Sequence, residues 1–306
     1  MKKGIALSGG GAKSFCQIGV LKVLEKNGIT FDIITGTSMG ALIGTIYSFT
    51  ENAEKLEEIF FKIFENKEFK RIENFFIRKK KNFISKFFDW TKDFLLILLD
   101  SFKTGIYDSE RIKDKIYDIF QKDFYFEEGK KILGIITTEY FTGKTVIFNK
   151  GKIFPALIAS CAIPGLITPV KINGKYYVDG GVTSNLPIIA NFILGGEKII
   201  GIENNLSLEK NIPSNTFELF ARIEKIKNNY LNIFEGLFAD FILKIDLPDI
   251  EWFNFSKLKE CIKLGEIYAE KKLKMIEKIL KSENKIDYRK DMIENVKNYF
   301  LTECSV

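Results

Sequence analysis

GIALSGGGAKSFCQIGVLKVLEKNGITFDIITGTSMG, residues 4–40, states one grammar twice. Gly4–Ser8 is a short apolar run, the length of a buried strand, and a glycine cluster follows it. Lys13–Asn27 then carries Phe15, Ile18, Leu21 and Leu24 at helical spacing, and Gly28 stands where a helix stops. Phe31–Thr35 is a second strand, a second glycine-marked turn follows, and Met39–Phe49 is a second helix. Strand–helix–strand–helix with short connections implies parallel strands, and parallel strands need helices on both faces. The expected fold class is therefore α/β, a three-layer αβα arrangement around a central, mostly parallel sheet.

The same alternation returns downstream. Lys131–Glu139 and Lys144–Asn149 are expected strands joined by a turn at Thr142-Gly143. Phe154–Ala162 is an expected helix, and Lys171–Val178 a hairpin turning at Asn173-Gly174. Pro187–Leu194 is a helix opened by proline, followed by a strand at Lys198–Glu203. Beyond residue 205 a mostly helical tail holds one more strand-like run, Phe241–Leu247. The expected organisation is a catalytic core over residues 1–205, completed within the same domain by residues 206–306.

One stretch departs from this pattern. Between residues 62 and 86, Lys and Arg outnumber Glu so far that the segment carries +6, equal to the formal charge of the whole chain. Directly after it Phe83, Phe87, Phe94, Leu95, Leu98, Leu99 and Phe102 recur at helical spacing. Two readings of 62–102 stand side by side. It is an insert that lies on an anionic membrane surface, or a core-facing helix with a solvated basic flank.

Composition removes whole classes of chemistry. There is no histidine in 306 residues, so a Ser-His-Asp triad, a Cys-His pair and a His-ligated zinc site are all excluded. The cysteines, Cys16, Cys161, Cys261 and Cys304, are scattered without a CxxC pair, which points to a reducing compartment and no thiolate metal site. Neither a calcium-loop pattern nor a ligand cluster appears, so no metal and no cofactor are expected. The N-terminal apolar run breaks into glycines too early for a signal peptide. The longest apolar run, Phe94–Leu99, falls far below the roughly 20 residues of a membrane span. The expected location is cytoplasmic, with peripheral contact to an anionic membrane.

Three glycine-marked sites carry the chemistry. In Ser8-Gly9-Gly10-Gly11-Ala12-Lys13-Ser14, between strand and helix, successive backbone N–H groups can converge on one anion. The spacing is wrong for a Walker loop, where Ala12 and Leu7 occupy the required glycine positions. It is wrong for a dinucleotide fingerprint, where Ser14 does so. Gly36-Thr37-Ser38-Met39-Gly40 is GxSxG between strand and helix, the setting of a nucleophile elbow. Asp179-Gly180-Gly181 follows the strand Tyr176-Tyr177-Val178. Alone it is a turn, but a serine without histidine needs another base, and a carboxylate at a glycine-rich strand end is of that kind.

In this order, the three sites resemble the patatin-like phospholipase family. Gly19-Val20-Leu21-Lys22-Val23-Leu24 is similar to the family's first helix, as is Ala159-Ser160-Cys161-Ala162-Ile163-Pro164-Gly165 to the segment leading to its aspartate, with Asn185-Leu186-Pro187 beyond. The resemblance covers about residues 4–205. It implies a Ser38–Asp179 catalytic dyad, an oxyanion loop of Gly9, Gly10, Gly11 and Ala12, and supporting glycines at 36, 40, 180 and 181. It further implies a serine acyl hydrolase, a phospholipase A, lysophospholipase or lipid esterase, working through an acyl-enzyme. Lys13 stands where the family usually has arginine; it keeps the charge for an anion or head-group contact but loses the planar fork. Gln17 stands where many bacterial relatives carry histidine.

The expected partner is a lipid or acyl-ester substrate. Nucleic acid is not expected, because the basic excess lies in one segment without a recognition motif. The reading of another class is a catalytically weak lipid-binding or regulatory protein on the same fold.

Overall fold

The computed structural model describes residues 1–64, 124–205, 208, 212–213, 216–247, 250–282 and 289–305. Of the expected insert at 62–102, all beyond residue 64 lies outside the described residues. From the N-terminus, strand β1 (Lys3–Leu7) leads through the first glycine loop and a 3-10 turn (Gly11–Phe15) into α1 (Cys16–Lys26). Then follow β2 (Ile33–Thr37), α2 (Met39–Thr50) and α3 (Ala53–Phe64). The second half supplies β3 (Ile132–Glu139), β4 (Thr145–Gly151), α4 (Ile153–Ser160), β5 (Val170–Ile172), β6 (Lys175–Asp179), α5 (Ile188–Ile193) and β7 (Lys198–Asn205). The tail adds α6 (Thr216–Gly236), β8 (Phe241–Asp246), α7 (Leu258–Lys281), α8 (Arg289–Val296) and β9 (Phe300–Ser305).

The strands form one mixed sheet in the order β5-β6-β3-β2-β1-β7-β8, with β4 pairing β3 and β9 pairing β4. From β3 across β2, β1 and β7 to β8 every pairing is parallel. The hairpin elements β4 and β6 run antiparallel to β3. Period-two alternation sets the layers. On β1, Ile5 and Leu7 join a large core with α1, α2, α3 and α7, while Ala6 faces the opposite core of Leu186, Ile189, Phe238 and Ile293. This is the three-layer α/β arrangement that the opening stretch implied.

Differences from the sequence expectations fall at element ends and in the tail. The second strand runs to Thr37 rather than stopping at Thr35, because Gly36 and Thr37 continue the ladder to β3. The first helix opens with a 3-10 turn. Among its described residues the tail holds two strands, not one: β9, unforeseen, pairs in parallel with β4. Its sequence, Phe-Leu-Thr-Glu-Cys-Ser, alternates too weakly to stand out beside the charged helices before it. The tail is also locked to the first helix. A Cβ at Gly265 of α7 would lie 1.9 Å from the Cys16 carbonyl oxygen, and one at Gly19 of α1 would lie 2.0 Å from that of Ile262. The two helices therefore cross backbone to backbone, a contact only glycine permits.

Candidate active site

Ser38 sits in the turn between β2 and α2 with φ 53° and ψ −122°, a conformation that non-glycine residues rarely adopt. The turn is tight because its neighbours are glycine. A Cβ at Gly40 would lie 2.3 Å from the Leu7 carbonyl oxygen, and one at Gly36 would lie 2.6 Å from the Ala41 Cα. A buried serine on α4 secures the strained residue. The Ser38 N–H donates to Ser160 Oγ at 2.9 Å, and Ser160 Oγ donates onward to the Ile136 carbonyl of β3 at 2.6 Å.

Strand β3 also delivers the aspartate. Along one edge it pairs with β2 as far as Thr37, which lies opposite Ile136. At the next residue, Thr137, it pairs with Asp179 at the end of β6. β6 runs antiparallel to β3, so β2 and β6 meet head to head on the same edge. Ser38 and Asp179, 141 positions apart in sequence, thus converge with one strand as their common ruler. The Asp179 backbone is held twice more, its N–H donating to Ala162 O at 3.0 Å and its carbonyl accepting from Thr138 Oγ1 at 3.1 Å.

The Asp179 side chain is buried, with the Ser38 hydroxyl close enough to lower its pKa, and Oδ1 accepts the Gly181 N–H at 2.7 Å. Burial pushes its pKa up from 3.8 to about 6, against the lowering effect of those two donors. Gly180 lets this corner close, since a Cβ there would sit 2.3 Å from the Ile136 carbonyl oxygen. The thiol of Cys161 is likewise within hydrogen-bonding reach of Ser38; burial, reinforced by the neighbouring Asp179 charge, pushes it up to about 12. It is a neutral thiol at physiological pH and supplies no competing anion.

The first glycine loop passes beside this pair, with a Cβ at Gly9 falling 3.5 Å from the Ser38 Cβ. Two of its amides are already engaged: Gly9 N–H donates to Asn185 O at 3.0 Å, and Ala12 N–H to Trp252 O at 2.7 Å. Among the described residues the N–H groups of Gly10 and Gly11 find no acceptor, and both residues have positive φ, 147° and 57°. The available donors of the loop therefore narrow from four residues to two. Its shape is set by a buried polar clasp: Asn204 Nδ2 donates to Gly9 O at 3.0 Å, and Gln17 Nε2 to Ser8 O at 2.7 Å. Lys13 is 4% exposed and lies on the α1–α7 side, near Cys16 and Cys261, whose thiols burial pushes up against a small opposing effect of its charge.

The family model for patatin-like phospholipases matches residues 5–191, from β1 through the serine turn and the aspartate to α5. The chain belongs to the patatin-like phospholipase family. Among its relatives is an NTE family protein of Mycobacterium bovis, 30% identical over 190 residues, which are 60% of this chain and 44% of that protein. Lysophospholipase NTE1 of Meyerozyma guilliermondii is 24% identical over 302 residues, 87% of this chain and 19% of that one. The chain thus spans less than half the length of these relatives. Among solved structures VipD from Legionella pneumophila is similar with a TM-score of 0.44 and 14% identity, over 90% of this chain and 67% of that one.

Several residues of this patatin-like site were not singled out from the sequence. Ser160 and Cys161 lie inside a recognised motif, yet nothing local marks that either is placed against Ser38. Asn204 follows an apolar strand and reads as its polar end. Asn185, which donates through Nδ2 to Asn232 of α6 at 3.2 Å, ties the aspartate's loop to the tail. Only the fold brings these groups to the site.

Proposed function

We propose that the chain is a serine acyl hydrolase of lipid esters in which Ser38 is the nucleophile and Asp179 the base. The observation that carries this reading is the convergence of Ser38, on a strained turn at the end of β2, with the buried Asp179 carboxylate at the end of β6, both set by β3. Asp179 takes the hydroxyl proton as Ser38 Oγ attacks the ester carbonyl carbon. The carbonyl oxygen becomes an oxyanion against the N–H groups of Gly10 and Gly11, each such donor contributing about 3 kcal/mol of transition-state stabilisation. Collapse breaks the ester C–O bond, and the proton on Asp179 passes to the departing alcohol. Water, deprotonated by Asp179, then attacks the acyl-enzyme and releases the fatty acid.

A carboxylate with a pKa near 6 is a stronger base than one near 4 and still mostly ionised at neutral pH, which suits it to this task. The family and the lysophospholipase name of the yeast relative favour phospholipid or lysophospholipid as substrate. Among the described residues no helix is long and apolar enough to cross a membrane, which is consistent with action from one side of a bilayer.

Hydrolysis of a short-chain p-nitrophenyl ester and of lysophosphatidylcholine tests the reading, comparing wild type with Ser38→Ala and Asp179→Asn. Wild type is expected to turn over both, and each variant to lose at least about a thousandfold in kcat with an unchanged fold. Wild-type rates in Ser38→Ala would sink the dyad.

A further inference from the structure

Helix α6 is turned inside out. Among its described side chains the two buried ones are polar: Asn232 donates to Glu203 Oε1 at 3.0 Å, and Glu235 accepts from Ser184 Oγ at 2.5 Å and from the Ile189 N–H at 2.7 Å. Most of its described apolar residues face outward. Leu219, Ile223, Ile226, Tyr230, Ile233 and Leu237, just past the helix end, are all exposed, Tyr230 by 72% and Ile233 by 58%. Their spacing alternates strictly between four and three, so they make one stripe along the helix. A surface helix ordinarily does the reverse, and a contiguous exposed apolar face marks a contact surface.

We propose that this stripe is the surface by which the protein docks on a phospholipid bilayer, delivering the site to its lipid; the inference rests on the reading of the chain as a lipid hydrolase. Three observations select a bilayer over other occupants. The helix walls the aspartate's side of the site, with Lys227 and Glu224 close enough to act on Asp179 and Asn232 bonded to the Asn185 that follows it. A second copy of the chain seated there would therefore crowd the site, whereas a bilayer there brings substrate to it. Phe220 and Phe234, beside the stripe, are exposed aromatics where a helix-pairing seam carries charges, and they widen the apolar face beyond such a seam. Arg222 and Lys227 border the stripe on its two sides, Lys227 also pairing with Glu224 at 2.5 Å. Cations at the rim of an apolar face meet anionic head groups while the face enters the acyl boundary.

Flotation with vesicles of phosphatidylcholine and phosphatidylglycerol tests this directly, using wild type, Ser38→Ala and the double variant Ile226→Glu/Ile233→Glu. Wild type and Ser38→Ala are expected to float equally, because docking is scored without turnover and so stands apart from the dyad. The double variant is expected to partition about tenfold or more weakly, with its melting temperature unchanged because both side chains already face out. A gentler pair, Ile226→Ser/Ile233→Ser, is expected to weaken partition in the same direction. Failure of wild type to float overturns the proposal, as does a double variant that floats like wild type. Sedimentation without vesicles that finds a wild-type dimer and a monomeric double variant, both floating alike, assigns the stripe to a second copy instead.

Discussion

As the proposed base, Asp179 would owe its strength to burial, and two outcomes follow from its raised pKa. Its protonated form cannot accept the Ser38 proton, so kcat/KM for a neutral ester is expected to fall about tenfold per pH unit below pH 6 and to level off above it. The sign for stability runs the other way. A carboxyl whose folded pKa lies above its unfolded value favours the fold at low pH, and that contribution is lost as pH rises from 3.8 through about 6. Asp179→Asn, isosteric and uncharged, is therefore expected to stabilise the protein by roughly 2–3 kcal/mol at pH 8, with no gain at pH 3.5, in denaturant titrations at the two pH values. Ser160 acts at one remove, through the Ser38 amide it holds. Ser160→Ala leaves that N–H without its acceptor and the strained turn less fixed, and should lower kcat about tenfold or more with little change in KM. The turns that hold Ser38 and Asp179 were legible in the sequence because glycines mark the backbone at both. Ser160 and Asn204 were not, because each does its work on a residue more than a hundred positions away.

Among elements, legibility followed local pattern. The strand–helix pairs of the first forty residues were readable because apolar runs of strand length alternate with helical spacing. The extension of β2 to Thr37 was not, because Gly36 disfavours a strand until β3 pairs with it. The polarity of α6 was hidden for the opposite reason. An apolar stripe in a sequence reads as the core side, and only burial of Asn232 and Glu235 reveals that it points out. Glu235 joins α6 to the first turn of α5, and burial pushes its pKa from 4.5 to about 7. This attachment is fully stabilising below pH 4.5 and weakens as pH rises through 7. Thermal melts between pH 4.5 and 8 are expected to show wild type losing stability across that interval, and Glu235→Gln losing less of it, since the amide mimics the protonated acid.

At the scale of the molecule, residues 206–306 were expected to complete the domain begun by the first 205. β8 extends the parallel sheet from β7, β9 pairs with β4, and α7 crosses α1 with backbones in contact. A chain ending at residue 205 would expose the β7 edge, the β4 edge and the face of α1 together. It is expected to be insoluble or to lack a cooperative melting transition; a soluble fragment with a sharp transition would instead make the first 205 residues a domain by themselves.

The meeting of β2 and β6 on one edge of β3 has a use for an experimenter. Each half of the proposed dyad arrives on its own strand, and the exposed turn at Thr142-Gly143 lies between them in sequence. Cutting there yields two polypeptides, one bearing Ser38 and the other Asp179, each chemically silent alone. Activity would return only when the β3–β4, β3–β6 and β1–β7 pairings re-form, so the chain would serve as a split reporter whose signal is the rebuilding of the sheet.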